Sequence, residues 1–176
     1  MTTFRLDRFL TLFFFHPLQK IGISTGESRI PILMYHSLSR TKMKVGHPYY
    51  EIATAPHIFE AHMKFIHQND YQVIDLGDIL EYFAGNFKLT QKPIVISFDD
   101  GFKDFYTEAF PILRQYGFPA SMFLPTRFIG NNGLTFNGKE CLSWDIVRDL
   151  NGNGITFGSH TMNHLELYRM QEDEID

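Results

Sequence analysis

Residues 94–101 read Ile-Val-Ile-Ser-Phe-Asp-Asp-Gly, a mostly apolar run, Ile94–Phe98, that ends in two adjacent carboxylates and a glycine. Such a run, bounded by turn residues, is the pattern of a strand buried on both faces. Three further runs share it: Ile30–Tyr35 (IPILMY), Ala120–Leu124 (ASMFL) and Ile155–Gly158 (ITFG). Between them lie helical patterns at Pro56–Asn69, Leu76–Phe83, Phe105–Tyr116 and Ser143–Leu150. Pro56 suits a first helical turn and Gly117 a helix stop. Asn131–Gly138 (NNGLTFNG) reads as a surface loop. Alternating strands and helices predict an α/β fold with parallel strands, whose chemistry gathers at the carboxyl ends of the strands.

Composition narrows the function classes. A chain of 176 residues is sized for one domain. With 44% hydrophobic and 20% charged residues it should bury a core. The formal net charge of −4 supplies no broad basic field, so nucleic acid is not an expected partner. Cys141 stands alone, which excludes an intrachain disulfide and a cysteine-pair zinc ribbon. Phe9–Phe15 (FLTLFFF) follows Arg5 and Arg8 but is far short of the about 20 residues that span a bilayer. His16-Pro17 follows directly and no small-residue cleavage site precedes Arg29, so a signal peptide is not convincing. Residues 1–28 are expected to form an apolar, amphipathic segment packed on the domain, with weak membrane-surface contact through residues 4–21 as the second reading.

Three strand ends carry groups suited to chemistry. Asp99 and Asp100 repel each other's charge, and burial adds to the penalty, so a nearby cation would relieve both. Their side chains can act together only where the backbone turns, which Gly101 permits. From spacing alone the pair fits equally an acidic cap, with Asp100 or Asp104 accepting N–H bonds from the next helix. After Ile155–Gly158 comes Ser159-His160-Thr161-Met162-Asn163-His164. Two histidines four apart share one face of a helical turn and can reach one metal ion, yet 8 His in the chain give about 0.4 such pairs by chance. A third ligand, Asp99 or Asp100, would make two His and a carboxylate with an open position for water, the donor set of a catalytic zinc site. His36, after the first run, is read as a rim residue or one acting through the ligands. His57, His62 and His67 recur at intervals of five, about 140° apart around a helix, and are expected to be exposed.

Taken together these stretches resemble the polysaccharide deacetylases, the NodB-homology or carbohydrate esterase family 4 domain. The resemblance rests on SFDDG followed by SHTMNH, together with PILMYHS, Phe59–Leu80, FDDGFKDFYTEAFPIL, FPASMFLPT and LSWDIVRDL in order. The subgroup acting on poly-β-1,6-N-acetylglucosamine is the most similar. The resemblance implies a distorted (β/α) barrel over residues 29–176, of which about the first four strands are recognisable. It implies metal-dependent hydrolysis of N-acetyl groups on a polysaccharide, at the cell envelope or outside the cytoplasm. Asp99 would be the general base. Asp100, His160 and His164 would hold a divalent metal, most often zinc, with Thr161 steadying the turn between the two histidines. The family's later motifs, including the histidine that protonates the leaving amine, have no counterpart in Leu165–Asp176, so the general acid is unassigned. The 176-residue chain is therefore expected to be nearly inactive, and a glycan-binding remnant is the alternative. A glycoside hydrolase using Asp99 and a second carboxylate is a third reading, one that usually needs no metal.

Overall fold

The computed structural model describes residues 30–40, 52–89, 92–130 and 133–172. The N-terminal segment, with its expected membrane contact, lies outside the described residues. The central strand is β5, Lys92–Asp99, and the sheet around it is wholly parallel. On it lie β1 (Ile32–Tyr35), in register Tyr35 to Phe98, and β4 (Tyr71–Ile74), in register Ile74 to Val95. Next comes β6 (Ala120–Leu124), paired to the last residues of β5, and then β9 (Ile155–Ser159), paired to β6. Small pairs join β2 (Ser37–Leu38) to β3 (Ala53–Thr54), and β7 (Thr135–Phe136) to β8 (Lys139–Glu140).

The main sheet has five strands, one more than the four that the sequence pattern predicts, because Tyr71-Gln72-Val73-Ile74, which lies between two predicted helices, adds β4. The loop reading of Asn131–Gly138 is corrected too: Thr135–Phe136 is the first arm of a hairpin. Among the described residues β1 and β9 pair on one side only, and Ile32 and Met34 on β1 are exposed. Among the described residues the sheet is thus an open arc of a (β/α) barrel.

Helices cover the outer face. Helix α1, Pro56–Gln68, starts at a proline whose missing N–H costs nothing in the first turn, and buries Pro56, Phe59, Met63 and Ile66 as a single stripe. The Phe59 ring meets Tyr35 edge-on at 4.9 Å and Phe98 at 5.6 Å, which ties α1 to β1 and β5. Truncating so buried a phenylalanine typically costs about 3–5 kcal/mol. Helix α2, Leu76–Phe83, begins at a capping box formed by Asp75 and Asp78. Asp75 also accepts the hydroxyls of Ser121 (3.1 Å) and Thr156 (2.5 Å), which links β6 and β9 to the end of β4.

The pattern at Phe105–Tyr116 resolves into a wide π turn, Phe105–Ala109, and helix α3, Phe110–Tyr116. Pro111 has no N–H to donate to the preceding turn, and the π geometry takes up the mismatch. Gly117 ends α3 in the left-handed conformation. Helix α4, Trp144–Asn151, is capped by Ser143 and buries Val147 and Leu150.

Candidate metal centre

The carboxyl ends of β1, β5 and β9 converge. Strand β5 ends at Asp99, and the next two residues, Asp100 (φ +72°) and Gly101 (φ +60°), are left-handed. This reversal brings two neighbouring carboxylates to one site, which a continuing strand would send to opposite faces. Gly101 is required for space as well: a Cβ there would meet Leu124 Cδ2 at 2.6 Å and Ile129 Cδ1 at 3.0 Å.

Asp100 is 2% exposed, and its Oδ1 is buried with no hydrogen-bond partner among the described residues. A buried carboxylate oxygen left unpaired is costly. Facing it are Nε2 of His164 at 3.2 Å and Nε2 of His160 at 3.6 Å. Donor atoms of the three residues lie within 4.8 Å of one another, a spacing that one cation can bridge. An ion between the three would account for the orphaned oxygen, and a carboxylate with two imidazoles suits zinc or a similar divalent metal. Burial pushes the Asp100 carboxyl above its ordinary range, and His36, His164 and His160 pull it back.

The histidine pair does not sit on a helical turn as its spacing suggests. Thr161 (φ +61°) and His164 (φ +57°) are left-handed, so residues 160–164 form a tight turn. Non-glycine residues in that region store strain, which clusters at functional sites. The Thr161 hydroxyl accepts the Leu165 N–H at 3.1 Å, and the Thr161 and Met162 carbonyls take the N–H groups of Thr126 and Arg127. The His160 N–H donates to Leu124 O at 2.9 Å, which continues the β6–β9 ladder into the site. The two imidazoles stand perpendicular, centroids 4.6 Å apart, and Phe136 lies 4.8 Å from the His164 ring.

His36 comes closer than its sequence reading implies. The pairing of Tyr35 with Phe98 carries it to the level of Asp99, and its Nε2 is 3.9 Å from Asp99 Oδ2. The two side chains retain 22% and 14% exposure, so both are open to a small molecule. The cap reading for the acidic run is not met. Asp104 makes no side-chain cap and instead accepts the Ser37 hydroxyl at 2.6 Å and the Leu38 N–H at 3.1 Å.

Two side chains near the centre carried no signal in the sequence. Phe136 sits in what reads as a loop, and the Cys141 thiol donates to Asp100 O at 3.7 Å. His57, His62 and His67 are exposed on α1, away from the centre, with His62 Nδ1 2.9 Å from the Tyr35 hydroxyl. No helix among the described residues is long and apolar enough to cross a membrane.

Comparison with known proteins agrees with this fold. The polysaccharide deacetylase family profile matches residues 87–176. YxkH of Bacillus subtilis (strain 168), a protein assigned to the polysaccharide deacetylases, is 34% identical over 140 residues, covering 80% of this chain and 45% of its own length. The poly-β-1,6-N-acetyl-D-glucosamine N-deacetylase of Escherichia coli (strain K12) is 39% identical over 56 residues, 32% of this chain and 8% of that protein. The chain thus spans less than half the length of these curated relatives. Among solved structures, the Streptococcus pyogenes deacetylase PplD in complex with acetate superposes with a TM-score of 0.67 at 25% identity, over 82% of this chain and 62% of that one. With the profile covering half of the sequence and the fold shared, the chain belongs to the polysaccharide deacetylase family.

Proposed function

We propose that this chain hydrolyses N-acetyl groups on a polysaccharide, such as an N-acetylglucosamine polymer of the cell envelope, in a metal-dependent reaction. The observation that carries this reading is the buried, unpartnered Oδ1 of Asp100 facing the two Nε2 atoms of His160 and His164. Asp100, His160 and His164 would hold the ion, zinc being the best match to their chemistry. When bound, such a cation polarises the acetyl carbonyl and brings the pKa of water toward about 7.

The remaining steps belong to side chains. Asp99, next to Asp100 and partly open, takes a proton from the attacking water as its oxygen bonds to the acetyl carbon. The carbon–nitrogen bond then breaks, the nitrogen needs a proton, and acetate leaves. His36, 3.9 Å from Asp99, is the group we assign to deliver that proton. This assigns the acid to a side chain that the described residues place at the site. The substrate class is supported by the named activity of the Escherichia coli relative.

The test is acetate release from N-acetylglucosamine oligomers by the purified chain. Release that a chelator stops, that zinc restores and that Asp99→Asn abolishes is the expected result. Oligomer binding by the zinc-loaded chain without acetate release would contradict hydrolysis and support the glycan-binding alternative.

A further inference from the structure

The β7–β8 hairpin, which packs Phe136 against His164, also reaches the turn that follows β1. Lys139 Nζ lies 3.2 Å from Asp104 Oδ2 and donates to the Ser37 hydroxyl. Asp104 in turn takes the Ser37 hydroxyl at 2.6 Å and the Leu38 N–H at 3.1 Å. Three chain segments that are distant in sequence therefore meet in one polar knot. Ser37 is fully buried, while Lys139 and Asp104 keep 23% and 21% exposure. Charge-assisted bonds of this kind are stronger than neutral ones, and removing one member leaves the others buried and underpaired.

Ser37 directly follows His36. Whatever fixes the Ser37–Leu38 backbone also fixes the direction in which the His36 side chain leaves it. We propose that Lys139 is a positioning residue: through Asp104 and Ser37 it holds the turn that sets the His36 ring against Asp99. The proposal rests on the reading that His36 and Asp99 exchange protons with substrate. The hairpin then serves the site at two points, Lys139 through His36 and Phe136 beside His164. The Lys103–Glu140 pair on its outer side is exposed and adds little to its anchoring.

The experiment compares Lys139→Met and Lys139→Arg with the wild-type chain by histidine carbethoxylation, zinc titration and acetate release. Misplacing a reacting group by an ångström can cost up to about 100-fold in rate, so Lys139→Met should lower kcat by about 10-fold or more at unchanged KM. His36 should be modified several times faster in that variant, with His57, His67 and zinc affinity unchanged, and Lys139→Arg should restore both readouts. Wild-type modification and kcat in Lys139→Met would overturn the proposal. So would a uniform rise at every histidine, which marks general loosening, or a failure of arginine to restore. If the wild-type chain releases no acetate, the deacetylase reading fails, and the His36 modification pattern alone decides whether Lys139 positions that ring.

Discussion

Nε2 of His164 stands 3.2 Å from Oδ1 of Asp100, a carboxylate oxygen with no hydrogen-bond partner among the described residues. The arrangement is costly without an ion and sensible with one. Its consequences for stability oppose its consequences for binding, and that opposition can be measured.

In the metal-free chain the folded-state pKa of Asp100 is raised. The sign follows from linkage: the neutral carboxyl favours folding at low pH, and that contribution is lost as pH rises through the raised pKa. Asp100→Asn should therefore raise the melting temperature of the metal-free chain at pH 8 while removing zinc binding. A lowered melting temperature with intact zinc affinity would contradict the assignment.

Zinc binding should reverse this cost. An ion at about 100 times its Kd adds about 2.7 kcal/mol of stability, which for a domain of this size raises the melting temperature by roughly 5–10 °C. Because Asp100 must shed its proton to bind, the shift should shrink on acidification, starting at a higher pH than an ordinary carboxylate would cause. Thermal scans with and without zinc from pH 8 to pH 5 check this; a shift constant with pH would argue against Asp100 as a ligand.

Proton transfer should separate from metal binding. Asp99→Asn and His36→Gln are each expected to lower kcat by about 10²–10⁴-fold while zinc affinity stays near the wild-type value. Full activity in His36→Gln would return the general acid to the unassigned state.

Much of this site could be read from residues 94–101 and 155–164, because each strand there is long and apolar enough to mark its own carboxyl end. What escaped did so for physical reasons. Tyr71–Ile74 is short and only half-buried, so it lacks a clear period. The arms of the β7–β8 hairpin have two residues each, below the length at which alternation exists. The His-x₃-His spacing suggests a helix, but the backbone at Thr161 and His164 is left-handed, which spacing does not encode. The approach of His36 to Asp99 depends on the pairing of β1 with β5, which its own sequence surroundings do not show. Residues 1–28, read as an amphipathic segment, lie outside the described residues.

Gly101→Ala tests the turn that unites the two carboxylates. Its Cβ would press on Leu124 at 2.6 Å from a backbone at φ +60°. A loss of about 1–3 kcal/mol in denaturant unfolding is expected, with weakened zinc binding. A neutral substitution would show that the turn is not constrained as described.

Cys141 is buried behind Asp100, and burial pushes its thiol up to about 11. Alkylation at pH 8.5 should be slow in the folded chain and fast after denaturation, because the thiolate is the reactive form. Equal rates would mean that the floor beneath Asp100 opens readily.

The most direct test of the central claim is a calorimetric titration of the metal-free chain with zinc, repeated for Asp100→Ala and His160→Ala. The account predicts one site per wild-type chain and an affinity loss of more than about 100-fold in each variant. Unchanged affinity in both variants would contradict it.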